Sequence, residues 1–142
     1  MIRLYEQHAK QIAKIERECF SKPWSEQSVL DAIRSGHTFF GEFESDSLIA
    51  FAGVNVVCGE GYIDNVAVCE SHRRQGIGEK LVTALIEHCV ENSADFITLE
   101  VRESNLSAIS LYEKCGFSRV GVRPNFYTAP QENAVIMTKE LI

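Results

Sequence analysis

The chain has 142 residues, is 45% hydrophobic and 24% charged, and carries a net charge of −6. That length bounds it to one domain, residues 1–142, able to bury about 68–70% of the surface its unfolded chain exposes. The acidic balance excludes chain-wide attraction to nucleic acid, whose phosphates are bound through clustered Lys and Arg. An acidic surface instead suits a basic partner or a small ligand. No run approaches ~18 uninterrupted apolar residues, so no membrane span is expected. The start, "MIRLYEQHAK", lacks the apolar core of a secretory leader, and a cytoplasmic setting is expected. Cys19, Cys58, Cys69, Cys89 and Cys115 form an odd set without C-x-x-C spacing, which argues against a disulfide framework and a closed zinc site. They read as small apolar residues of a reducing compartment, and no histidine near Cys115 in sequence activates it as a nucleophile. His8, His37, His72 and His88 show no metal-ligand spacing and read as surface or structural.

In chain order, "IRLY" opens as a short strand. "EQHAKQIAKIERECF" places Ile12, Ile15 and Cys19 at helical spacing. "KPWSEQSVLDAIRSG" offers Ser25 as N-cap, Val29, Leu30 and Ile33 as an apolar stripe, and Gly36 as a stop. Trp24 reads as a loop anchor, with the wall of a substrate pocket as the alternative. "HTFFGEF", "SLIAFAGVNVVC" and "GYIDNVAV" are β-rich runs whose short connections favour antiparallel hairpins. Residues 77–92 read as an amphipathic helix and "DFITLEV" as a strand. "NLSAISLYEKCG" is a helix between an Asn105 cap and a Gly116 stop, and "FSRVGV" and "NAVIMTKEL" are closing strands. We write the order as βααββββαβαββ, a mixed α/β sheet in which the crossover at 77–92 joins parallel neighbours. No repeat or linker supports a domain boundary.

The turn "HRRQGIGEKL" lies where the third β-rich run hands over to the long helix, and Arg73, Arg74 and Lys80 crowd into eight positions there. Glycine allows close backbone approach, and a helix N-terminus carries roughly half a positive charge, so the turn reads as a phosphate cradle. A glycine pair marking only a tight connection is the alternative. A Walker A string is absent, and the dinucleotide fingerprint fails because Leu81 stands where its third small residue belongs.

Arg73-Arg74-Gln75-Gly76-Ile77-Gly78, of form [RQ]-x-x-G-x-[GA], resembles the acetyl-CoA-binding motif of the GCN5-related N-acetyltransferase (GNAT) family. "TLEVRESNLSAISLYEKCGF" is similar to the L-E-V-R-x-S-N-x-x-A-x-x-L-Y-x-x-x-G-F segment of the RimI-type ribosomal-protein alanine N-acetyltransferases. "KPWSE" and "RPNFY…ENAVIM" resemble the same branch, so the similarity covers nearly the whole chain. Phe126-Tyr127 stands where that branch commonly has a Tyr-Tyr pair, and the loop after it looks short.

The resemblance implies a GNAT fold: a mostly antiparallel mixed sheet, helices on both faces, and a V-shaped opening between two parallel strands. It implies acetyl-CoA as co-substrate and no metal. The pyrophosphate would lie on the turn from Arg73 through Gly78 to Glu79, and the pantetheine arm along Val66, Ala67 and Val68. Asn105 would hydrogen-bond that arm, cap the following helix, or do both. Glu100 would be the general base through a water, and Tyr112 the general acid for the departing thiolate. An ordinary strand glutamate and a half-buried core tyrosine are the alternatives. The acceptor implied is the N-terminal alanine of a ribosomal small-subunit protein, acetylated by direct transfer with neither nucleic acid nor membrane as partner. A lysine or small-molecule amine as acceptor, and a non-catalytic acyl-CoA-binding module, are the rival readings.

Overall fold

Seven strands form one sheet in the order β1-β2-β3-β4-β5-β7-β6 in the computed structural model, which describes residues 1–142. The strands are β1 Ile2–Leu4, β2 Thr38–Glu44, β3 Ser47–Val57, β4 Glu60–Val68, β5 Phe96–Arg102, β6 Ser118–Thr128 and β7 Gln131–Glu140. The helices are α1 Ala9–Cys19, α2 Glu26–Arg34, α3 Ile77–Glu91 and α4 Leu106–Lys114. Every neighbouring pair is antiparallel except β4 and β5, which are parallel and joined by α3 as the crossover. The meander between α2 and α3 has three strands, one fewer than the order read from the sequence. The strand expected at 117–122 runs on to Thr128 with irregular register against β7.

Local chemistry explains the helix ends. Ser25 Oγ accepts from the Ser28 amide at 3.1 Å, and Asn105 Oδ1 accepts from the Ala108 amide at 3.2 Å, each satisfying an orphan donor of a first turn. At the end of α4, Gly116 adopts a φ of 96°, and the Phe117 amide bonds the Tyr112 carbonyl at 3.0 Å.

The sheet is covered on both faces. Leu81, Val82 and Leu85 of α3 share one core with Ile97, Leu99 and Val101 of β5. Ile12 and Ile15 of α1 and Val29 of α2 share the other with Phe39 and Phe51. Alternation along β3 feeds both, with Ala50 and Ala52 in the first core and Phe51 in the second.

Two departures from regular pairing create the opening. β4 and β5 are in register only at Glu60/Phe96, Gly61/Ile97 and Tyr62/Thr98. Beyond them β4 stays on β3 as far as Val68 and β5 stays on β7 as far as Arg102, so the two parallel strands diverge. β4 also carries a bulge: Val54 opposes Ile63 and Ala52 opposes Val66, leaving Gly53 across from both Asp64 and Asn65. An extra residue bends the strand and re-aims the side chains around it.

Candidate active site

Two adjoining cavities occupy the divergence. The first, about 760 Å³, runs from the end of β4 over the glycine turn to α4. Arg74 and Gly76 both have positive φ, 62° and 77°, which folds the turn back on itself ahead of α3. The amides of residues 74–79 donate to no protein acceptor, and the ladder of α3 begins with Lys80 N–H on the Gly76 carbonyl at 3.2 Å. A Cβ built on Gly76 meets nothing within 4 Å, so the backbone there is open to a ligand. Successive free N–H groups at a helix N-terminus are an anion cradle. The residues present therefore fit a pyrophosphate.

Of the residues singled out in the sequence, Val66, Ala67, Val68, Arg73, Arg74, Gly76, Ile77, Gly78, Glu79, Asn105 and Tyr112 line this cavity, and Gln75 does not. The Arg73 side chain braces the site from behind, its Nε donating to the Val68 carbonyl at 3.0 Å. Glu79 ties α3 to α4 through Lys114 Nζ at 3.0 Å. A Cβ on Gly78 would come 3.1 Å from Leu111 Cδ2, so glycine sets how closely those two helices approach.

The second cavity, about 500 Å³, lies between the diverging ends of β4 and β5. Glu100 lines it from β5 and Tyr112 from α4, with Asp64 and Asn65 contributed by the bulge. Cys19, Phe20, Val66, Asn105, Ala108 and Tyr112 line both cavities and form the passage between them, whereas Glu100 belongs to the second alone. The Glu100 side chain is one-third exposed, and its Oε1 lies 3.2 Å from Arg123 Nε of β6. Tyr112 is buried, with its ring edge-on to Phe117 at 5.6 Å. Burial pushes its phenol well above the ordinary range, so it stays protonated.

The rim joins residues the sequence pointed to, Trp24, His37 and Tyr127, with others it did not, Lys22, Arg102, Glu132, Asp64, Asn65 and Glu16. Lys22 Nζ, in the loop after α1, donates to Thr128 Oγ1 and joins that loop to the β6–β7 hairpin. Arg102 stacks 4.4 Å over the Tyr127 ring and pairs with Glu132 at 3.2 Å, fixing the hairpin to the end of β5. Trp24 both anchors its loop, edge-on to Phe39 at 6.4 Å, and lines the second cavity. His37 is structural: its Nδ1 lies 2.7 Å from Asp64 Oδ2. Burial pushes the Asp64 carboxyl upward, and the hydrogen bond and charge of His37 pull it partly back. Asn65 is held in turn by Glu16 of α1. The trace of this group in the sequence is the polar pair Asp64-Asn65 inside an apolar strand.

No group of three or more His, Cys, Asp or Glu side chains is placed to hold a metal ion, and no helix is long and apolar enough to cross a membrane.

Comparison with known proteins points to one family. A model of the acetyltransferase (GNAT) family matches residues 9–117. The chain is 34% identical over 137 residues to the ribosomal protein bS18-alanine N-acetyltransferase of Haemophilus ducreyi, covering 94% of each. It is 35% identical over 125 residues to the same-named protein of Escherichia coli strain K12, covering 87% of this chain and 84% of that one. The crystal structure of the ribosomal-protein-S18-alanine N-acetyltransferase from Escherichia coli superposes with a TM-score of 0.89 at 32% identity, over 98% of this chain and 91% of that one.

Proposed function

The chain belongs to the GNAT family of acetyltransferases, and from that premise we propose that it acetylates a protein's N-terminal α-amine. The acceptor is a chain beginning with alanine, as in the bS18 protein named for its relatives, and the reaction takes place in the cytoplasm. The observation that carries this reading is the passage lined by Tyr112 and Asn105, with an anion cradle on one side and the Glu100 carboxylate on the other.

Acetyl-CoA, when bound, supplies the activated thioester. The amides of 74–79 would hold its pyrophosphate, and the edge of β4 at Val66, Ala67 and Val68 its pantetheine arm. Asn105 spends its Oδ1 on capping α4, which leaves its Nδ2 as the group that would donate to the pantetheine arm. Glu100, through a water, takes the proton from the acceptor ammonium. Magnitude favours an α-amine here: with a pKa of ~7.7–8.0, roughly a third is neutral near pH 7.5, against about one lysine in a thousand at ~10.4. One relayed carboxylate suffices for the first and is strained for the second. Tyr112 Oη donates the hydrogen bond and proton that the leaving sulfur needs. The amine attacks directly, so no acyl group rests on the enzyme.

The test offers acetyl-CoA with a basic peptide starting in alanine, beside the same peptide blocked at its α-amine and carrying a lysine. We expect mass spectrometry to place the acetyl group on the α-nitrogen of the first peptide. Acetylation of the blocked peptide alone, or of neither, would overturn the reading.

A further inference from the structure

We propose that Glu16 is a positioning residue for the acceptor peptide, acting through Asn65. Glu16 lies on α1, is only 1% exposed, and does not line either cavity. Its Oε1 accepts from Asn65 Nδ2 at 2.6 Å, while its Oε2 has no hydrogen-bond partner. A half-satisfied buried carboxylate is a costly occupant of a position on the inward face of a helix, between core residues such as Ile12 and Ile15. What it accomplishes is directional. Once ionised, as it is at pH 8, the Glu16 carboxylate can only accept, so the Asn65 amide turns its Nδ2 inward, and its Oδ1 is then free to face the acceptor cavity that Asn65 lines with Glu100 and Tyr112. No protein donor reaches that oxygen; Asn65 Nδ2 to Glu16 is the side chain's one hydrogen bond.

An acceptor oxygen locked in orientation beside Glu100 matches the N–H donors at the amino end of a peptide. The bulge makes this possible, because it inserts Asp64 and Asn65 opposite Gly53 and so releases them from regular alternation. Glu16 thus sets peptide affinity without touching the peptide, and the inference rests on the α-amine reading above.

The experiment measures steady-state kinetics at pH 8 with an alanine-starting peptide, for wild type, Glu16→Met, Asn65→Ala and the double variant, beside their melting temperatures. Glu16→Met should raise the peptide KM about 10-fold, the worth of one hydrogen bond to a charged donor. Its kcat and its KM for acetyl-CoA should stay within about twofold of wild type, and its Tm should not fall. The double variant should show the peptide KM of Asn65→Ala alone, because Glu16 has nothing left to position. A wild-type peptide KM in Glu16→Met overturns the proposal. So does an equal rise in the acetyl-CoA KM, a product of two independent factors in the double variant, or a Tm far below wild type, which makes Glu16 structural. Failure of the wild type to acetylate any alanine-starting peptide strikes the α-amine reading first, and the proposal falls with it.

Discussion

Replacing Glu16 by Gln removes a buried titratable proton while keeping the side chain's volume and an acceptor oxygen for Asn65. Burial pushes the Glu16 carboxyl up to about 7 from its ordinary 4.5; the Asn65 hydrogen bond and the nearby Trp24 backbone N–H oppose that rise only in part, and the Asp64 charge adds to it. The folded chain therefore holds this proton more tightly than the unfolded chain does. Between pH 4.5 and 7 the folded state carries more protons, so wild-type stability falls as pH rises through that window, and the full cost persists above it. Each pKa step of one is worth about 1.4 kcal/mol, which gives about 3 kcal/mol as an upper figure and about 2 kcal/mol once nearby water screens the charge. For a chain of this size 1 kcal/mol moves Tm by about 3–4 °C. We expect Glu16→Gln to gain roughly 6–10 °C on wild type at pH 8 and almost nothing at pH 4.5. The Asp64 charge adds to the rise at Glu16, so neutralising Glu16 also relieves Asp64, and both effects act in the same direction at high pH. Thermal melts of the two proteins every half pH unit decide the matter. A Tm difference that stays flat from pH 4.5 to 8, or shrinks, would refute the reasoning, because the buried proton is its only source.

Gly76→Ala places a methyl group at a φ of 77°, a left-handed conformation that costs about 1–2 kcal/mol of stability, and aims it into the open cradle. Calorimetry on the folded variant should show acetyl-CoA affinity down by more than about 10-fold, one lost amide contact being worth at least that; undiminished affinity sinks the pyrophosphate assignment. Glu100→Gln should leave acetyl-CoA affinity intact and lower turnover by about 10²–10⁴-fold, with the loss shrinking above pH 8 as the acceptor amine becomes neutral unaided. Full turnover in that variant at pH 7 would remove Glu100 from the proton path. Tyr112→Phe keeps the ring on Phe117, so its Tm should hold while turnover drops about 10²-fold, the low end for a general acid because a thiolate leaves tolerably well. A variant as active as wild type would leave Tyr112 as packing alone.

The features legible in the sequence are those set by neighbours along the chain. Ser25, Asn105 and Gly116 cap or stop their helices through bonds spanning three to five residues, and each was read at its place. The glycine turn was legible because a left-handed backbone before a helix favours glycine; Arg74, at a φ of 62°, shares that conformation with no such signature. The extent of β6 escaped because it is an edge strand, exposed along nearly its whole length, with no buried face to impose alternation. Pro124 reads as a strand breaker, and it is tolerated here because it sits on an edge strand within the register break between Arg123 and Tyr127.

The bulge on β4 shows why the proposed acceptor half of the site was harder to read than the proposed cofactor half. Ile63 and Ala67 are four residues apart, so in a regular strand both would face the same way. Ile63 instead packs with α3 and Ala67 with α1 and α2, because the extra residue shifts the pleat by one. Nothing in "YIDNVAV" states which residue is extra; only the pairing with β3 does. The same shift brings Asn65 to Glu16, 49 positions earlier, while pairing of both β5 and β6 with β7 brings Glu100 to Arg123 on β6. A cradle made of consecutive amides is written in one stretch of chain, whereas an acceptor pocket assembled from α1, β4, β5 and β6 is written in none of them. Substitutions along the pocket's long-range pairs should therefore alter peptide choice while the turn at 73–79 continues to bind acetyl-CoA.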